Sequence, residues 1–155
     1  MNIIYPSKGE IIQRSGDLHT KVYVVKKGLL RSYAIDEKGK EHIFMFGPEG
    51  WTVADNQAPE VPCDLFIDAL EDSVVIVLEK NLEREDIKAR PLINRLAVLQ
   101  QRIIMLMSAP AIKRYEHFVV TYPDIIQRVP QKMVASYLGI TPEALSKVKG
   151  ERKHK

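Results

Sequence analysis

Hydrophobic positions alternate with polar ones over the first half of the chain and then change period. Up to about residue 79 they recur every second residue in short runs at 10–13, 21–26, 29–35, 42–46, 65–70 and 74–78. That spacing turns one face of a strand to a core and the other to water. Turn chemistry separates the runs at Gly16-Asp17, Lys27-Gly28 and Glu71-Asp72-Ser73, and the reversal Asp36-Glu37-Lys38-Gly39-Lys40 predicts a hairpin. The stretch 47–62 carries no period and reads as irregular. Many short strands with no helix between them predict a small antiparallel sandwich or barrel.

From residue 81 the period is helical. Residues 83–89 can form a short helix, and Pro91 suits the first turn of a longer one, where its missing N–H costs nothing. Leu92, Leu96, Leu99, Ile103 and Leu106 then recur at alternating spacings of four and three, a heptad seam that calls for a partner helix. The seam is narrower than a face packed on a globular core, and two-fold assemblies are the commonest, so the reading is a homodimer through this helix. Ile93, Val98, Ile104 and Met105 widen the stripe and leave packing on the chain's own sheet open. Ser108 reads as the N-cap, and Pro110 as the first residue, of a further helix reaching about Thr121, which Tyr122-Pro123-Asp124 ends.

Residues 129–149, VPQKMVASYLGITPEALSKVK, are the most informative segment. Pro130 can open a helix whose inner face is Val134 and Leu138, and Gly139 supplies the left-handed residue that ends it. Ala135 sits where a crossing helix leaves room only for a small side chain. Thr141 then caps a second helix, with Pro142 at its first position, Glu143 suiting the helix dipole, and Leu145 and Val148 on its inner face. Ala135, Gly139, Leu145 and Val148 together have the spacing of a DNA-reading helix-turn-helix. Its outward positions include Thr141, Glu143, Ser146 and Lys147 as candidates for base readout. Glu143 can accept from cytosine N4, and Lys147 can donate to guanine O6 and N7. Lys132, Lys149, Arg152 and Lys153 are candidates for phosphate contact.

Charge sharpens this division. Residues 109–155 carry nine Lys and Arg against four Asp and Glu, whereas residues 1–108 carry 14 against 16. A polyanion is therefore expected at the C-terminal end, and double-stranded DNA fits the helix pair there. Cys63 is the only cysteine, so one copy cannot build a disulfide or a Cys-rich metal site, and a reducing cytoplasm is the expected location. No apolar run approaches the roughly 20 residues of a membrane span, and the N-terminus lacks an apolar signal core. The division expected is 1–80 as a β sensor domain, 81–108 as linker and dimerisation helix, and 109–155 as the DNA-binding domain.

The segments GEIIQRSGDLHTKVYVVKKGLLRSYAIDEKGKEH, IDALEDSVVIVL and RYEHFVVTYPDIIQRVPQKMVASYLGITPEALSKVK resemble the Crp/Fnr family of bacterial transcription regulators, in the compact form typical of Bacteroidetes. The resemblance spans nearly the whole chain. It implies an α+β protein: a jelly-roll domain like those that bind cyclic nucleotides, a dimerisation helix and a helix-turn-helix whose second helix enters the major groove. Glu143 and Lys147 fall on the family's Glu and Arg readers, with Lys, a point charge, in place of Arg's fork. With strands beginning almost at Met1, the family's helical segment before the barrel is expected to be absent or replaced, and no wing hairpin is expected between the recognition helix and Lys155. The ligand cassette departs further. Ala54-Asp55 stands where a phosphate-holding Gly-Glu pair would be, Cys63-Asp64 lies near the expected Arg, and no arginine occurs between Arg31 and Arg84. Cyclic AMP binding is therefore not expected. The cysteine cluster of the redox-sensing branch is missing, and His19 and His42 do not supply the axial ligands of the haem-sensing one.

Trp51, Asp55 and Asp64 mark a candidate effector pocket, although Trp51 better suits packing at the barrel end. His19 and His42, 23 residues apart, do not make the metal site of a jelly-roll enzyme, and no nucleophile elbow or phosphate loop occurs. The reading is a regulator rather than an enzyme, without metal or cofactor, whose effector is an unidentified small molecule or none. RNA polymerase is a further candidate partner. The competing reading is a ligand-sensing barrel whose helical tail binds a protein instead of DNA, and a third is a regulator whose barrel only scaffolds the dimer.

Overall fold

The computed structural model describes residues 2–80 and 89–153. They fall into two compact units, 1–82 and 83–155. The first holds eight strands: β1 (Asn2–Ile4), β2 (Ile11–Gln13), β3 (Lys21–Lys27), β4 (Leu30–Ile35), β5 (Glu41–Gly47), β6 (Thr52–Val53), β7 (Phe66–Ala69) and β8 (Val74–Glu79). They pair antiparallel in two four-stranded sheets, ordered β1-β8-β3-β6 and β2-β7-β4-β5. This is the jelly-roll arrangement expected. The alternating runs each became a strand, within a residue or two of the expected ends. Two strands escaped the period: β1, whose three residues pair with β8, and β6, which lies inside the stretch read as irregular and pairs with β3. β6 has only two residues, too few to show alternation, and the run at β1, Asn2-Ile3-Ile4, places two apolar residues side by side.

Tyr23, Val25, Leu30, Met45, Val53, Ile67, Ala69 and Val75 form the core between the sheets, with Trp51 packed against it. The hairpin between β4 and β5 is tied by Asp36, whose carboxylate accepts from the Lys38 and Lys40 amides and pairs with His42 Nε2 at 2.8 Å. Chiefly through the His42 hydrogen bond, the Asp36 carboxyl sits below the usual range. Gly28 turns β3 into β4 at φ 90°, and a Cβ there would collide with Ser73, so the Lys27-Gly28 turn requires glycine.

The second unit contains α1 (Ala89–Ser108), α2 (Ala111–Thr121), α3 (Ile125–Arg128), α4 (Gln131–Leu138) and α5 (Pro142–Lys153). The expected short helix at 83–89 lies outside the described residues except for Ala89, which belongs to α1. Ser108 does not cap α2. It ends α1, and its hydroxyl donates back to Ile104 O at 2.7 Å, the local bond serine makes in a helix. Pro110 takes the cap position with extended backbone (φ −65°, ψ 158°) and Ala111 begins α2; Pro130 likewise caps α4 instead of opening it. Phe118, Tyr122 and Tyr137 make a cluster with ring centroids 5.3 to 5.5 Å apart. With Tyr115 they are buried, as side chains of a core rather than stacking platforms.

Candidate nucleic-acid interface

The α4–α5 pair is built from local signals. Gly139 follows α4 in the left-handed region at φ 65°, and its amide caps the helix end. Thr141 caps α5: its hydroxyl oxygen accepts from the Ala144 amide at 3.2 Å and its carbonyl from the Leu145 amide at 3.0 Å. Val134, Ala135 and Leu138 of α4 and Leu145 and Val148 of α5 are all buried. Burial of Ala135 agrees with the small residue expected where the helices cross.

With Leu145 and Val148 turned inward, Glu143, Ser146, Lys147 and Gly150 recur at i, i+3, i+4 and i+7 on the opposite side, and all are exposed. Thr141 and Pro142 are exposed at the N-terminal end of this face. The structure therefore brings Thr141, Glu143, Ser146 and Lys147 onto one accessible surface, with Lys132 exposed on α4. It does not place all the basic residues there. Lys149 is half-buried beside the inner face, and Arg152 reaches back so that its guanidinium lies 5.7 Å from the Tyr115 ring centroid. The Lys153 side chain is outside the described residues.

The heptad stripe of α1 is open. Leu96 and Ile103 are 57% exposed, and Ile93, Val98, Ile104 and Met107 are exposed as well. Leu99 and Leu106 are half-buried, Met105 is buried, and the Leu92 side chain is outside the described residues.

In the first unit the proposed pocket residues have separate roles. Asp55 is buried and pairs with Lys80: Lys80 Nζ donates to Asp55 Oδ1 at 2.8 Å, Thr20 Oγ1 at 2.6 Å and Gln57 O at 3.1 Å. Burial alone would raise the Asp55 carboxyl, but the Lys80 hydrogen bond, with support from Thr20 and the Gln57 amide, holds it below the usual carboxylate range. Asp64 is exposed and accepts from Gln57 Nε2 at 2.9 Å. Deeper in, burial pushes the Tyr23 hydroxyl up to about 12, with Asp17 and Asp55 adding to the rise. His19 lies in a turn with φ 52°, and His42 in the β4–β5 hairpin. Among the described residues no group of three potential metal ligands occurs, and no helix is long and apolar enough to cross a membrane.

Sequence reasoning missed three charged clusters. One is the Lys80–Asp55 pair. The second is Arg31, buried on β4, which grips Asp68 of β7 with two nitrogens at 2.9 Å each and Glu41 at 2.6 Å. The third consists of Arg102 and Arg114, which donate to backbone carbonyls at the end of α4. All join residues distant in the chain.

The cyclic nucleotide-binding domain family matches residues 5–84. Electron transport regulator A of Shewanella oneidensis is 24% identical over 163 aligned positions, covering 92% of this chain and 65% of that protein. An anaerobic regulatory protein of Haemophilus influenzae is 26% identical over 102 positions, covering 66% of this chain and 37% of that one. The chain thus spans less than two thirds of the length of these relatives. Among solved structures, FixK2 from Bradyrhizobium japonicum aligns with a TM-score of 0.81 at 21% identity, covering 97% of this chain and 83% of that chain. A CRP/FNR-family transcriptional regulator from Thermus thermophilus aligns with a TM-score of 0.74 at 20% identity, covering 99% and 86%. The chain belongs to the cyclic nucleotide-binding domain family and has the fold of the Crp/Fnr transcriptional regulators.

Proposed function

We propose that this protein is a homodimeric, sequence-specific DNA-binding transcription regulator of the cytoplasm. The observation that carries the reading is the exposed face of α5, where Thr141, Glu143, Ser146 and Lys147 stand together opposite a buried Leu145–Val148 face. A helix so mounted can lay its N-terminal residues on base edges, with Glu143 accepting from cytosine and Lys147 donating to guanine. Lys132, exposed on α4, would supply a phosphate contact. The open stripe of Leu96, Leu99, Ile103 and Leu106, continued to Leu92, pairs with the same stripe of a second copy, so that two recognition helices address half-sites one DNA turn apart. In this reading residues 1–80 sense, 81–108 dimerise and 109–155 read DNA, with RNA polymerase as a partner at the promoter.

The cassette chemistry argues against cyclic AMP as the effector. All three N–H donors of Lys80 have acceptors, and the nearest carboxylate, Asp55, is itself buried. A phosphate brought to Lys80 would have to displace acceptors already in place, Asp55 among them.

Selection of bound sequences from a random duplex library tests the function, using the purified protein and its Glu143→Ala and Lys147→Ala variants. Enrichment of a two-fold symmetric site whose preference relaxes at one position per variant is expected. If nothing is enriched at low salt, with or without cell extract as an effector source, the DNA-reading function is wrong and the helical unit instead serves a protein partner.

A further inference from the structure

The last turn of α4 has four carbonyls that its own helix leaves without donors. The chain meets two of them locally: the Ile140 amide donates to Ala135 O at 3.1 Å and the Gly139 amide to Ser136 O at 3.2 Å. Tyr137 O and Leu138 O receive arginines from other helices. Arg102 of α1 donates to Tyr137 O at 3.3 Å and lays its guanidinium 3.9 Å from the centroid of the same residue's ring. Arg114 of α2 donates to Leu138 O at 3.2 Å.

Arg114 does more than close α4. Its other nitrogens donate to Leu106 O at 2.7 Å and Ala109 O at 2.9 Å, carbonyls at the C-terminal end of α1. Two helix C-termini, each a negative pole, thus converge on one guanidinium. The planar fork fixes the angle between them in a way a lysine ammonium would not. The other end of the arrangement is the seam. On α1, Arg102 is three residues from Leu99 and four from Leu106, so it borders the stripe that faces the proposed second copy. The anchor of Arg102 and the Leu106 carbonyl held by Arg114 lie on the same helix, one turn apart, so a shift of α1 would carry both. Both bonds end one or two residues before Gly139, the turn from which α5 departs.

We propose that Arg102 and Arg114 are positioning residues that clamp the turn between α4 and α5 to the C-terminal part of α1, so that the seating of α1 sets the angle at which α5 meets DNA. This rests on the DNA-reading function above and adds the route by which the dimer helix governs it. The clamp fixes the placement of each recognition helix relative to the dimer axis, not its base preference.

The test uses the full chain and its Arg102→Lys, Arg114→Lys and Arg114→Ala variants, with the Lys variants keeping the charge where the Ala variant fails to fold. Affinities are measured for a duplex carrying one selected half-site, for the full site, and for full sites with one base pair added or removed between the halves. One base pair shifts a half-site by about 3.4 Å and about 35° around the duplex. The wild type is expected to prefer the native spacing by about tenfold or more, and the variants by about twofold or less, through loss of effective concentration at the second half-site. Half-site affinity and the dimer mass in light scattering should match the wild type. Variants that bind every duplex more weakly but keep the wild-type spacing ratio would reduce the arginines to a structural role and overturn the clamp alone. A wild type that selects no site overturns the DNA-reading function, and the clamp's role with it.

Discussion

Removing the cation at the barrel's buried ion pair should expose how much the fold depends on it. In Lys80→Met, the Asp55 carboxylate, with its side chain 1% exposed, keeps its burial and loses the ammonium at 2.8 Å. Breaking a buried pair by removing one partner costs about 3 to 5 kcal/mol, because the remaining charge is uncompensated. Trp51, the only tryptophan, packs against the barrel core, so urea unfolding followed by its fluorescence reads the unit that holds the pair. With an m value of about 1.5 kcal/mol/M, a loss of about 3 kcal/mol lowers the midpoint by about 2 M. The pH dependence has a definite sign. In the wild type the Asp55 carboxyl lies below its usual range, so its contribution is present above the unfolded pKa and is lost as pH falls through the folded one. In Lys80→Met the burial contribution is left without its main counterweight and the carboxyl moves up, so protonation relieves the strain and the deficit against wild type narrows from pH 7 toward pH 5. Pairing it with Asp55→Leu removes both charges and should recover to within about 1 kcal/mol of wild type. A single-variant loss below about 1 kcal/mol at pH 7 would show a solvated pair of the surface kind, and a deficit independent of pH would show that Asp55 is not the group left stranded.

Four further outcomes are expected. Gly139→Ala should lower the thermal stability of the helical unit by about 1 to 2 kcal/mol, the cost of a Cβ in the left-handed region. Its Cβ would meet Arg114 and Leu106 only at an ordinary 3.6 Å, so circular dichroism melting that shows no loss would contradict the backbone argument. Leu99→Lys should give a monomer in light scattering, and a persisting dimer would remove α1 as the interface. Lys132→Ala should weaken binding alike on matched and mismatched duplexes and lower the slope of log affinity against log salt by about 1; a sequence-dependent loss would make Lys132 a reader. Cyclic AMP at about 1 mM should add less than about 0.4 kcal/mol to stability, the limit for a dissociation constant above about 1 mM, and a larger rise in melting temperature would show that the cassette accepts a phosphate after all.

Much of the fold was legible because its signals are local. Six of the eight strands showed their period of two, and the helix pair announced itself through Gly139, Thr141 and Pro142, each acting within four residues of its own position. Glu143, Ser146 and Lys147 could be placed on one face from spacing alone, since Leu145 and Val148 fix which way α5 turns. Arg152 could not, because its approach to Tyr115 depends on how α2 and α5 pack. Lys80 and Asp55 are 25 residues apart and Arg31 and Asp68 are 37 apart, and neither pair carries a periodic mark. The cap of α2 misled for a different reason: Ser108 can cap forward or bond back to Ile104, and the chain's path after α1 decides between them.

The arginines of the clamp were hidden more deeply, since their partners are carbonyls that every residue possesses. No complementary side chain advertises Tyr137 O or Leu138 O in the sequence. What the sequence does contain is the demand: a helix ended by a left-handed glycine satisfies two of its last carbonyls and leaves two for other groups. When such an end lies inside a small helical unit, donors must come from neighbouring elements. A basic residue bordering an apolar stripe, as Arg102 borders the stripe of α1, is then a natural source. The same logic applies to Lys80, which follows directly on the last residue of β8 and finds three acceptors on other segments. In both places a cation joins segments that periodicity leaves unrelated, and in α1 that junction ties the proposed dimer helix to the turn from which α5, the proposed reader of DNA, departs.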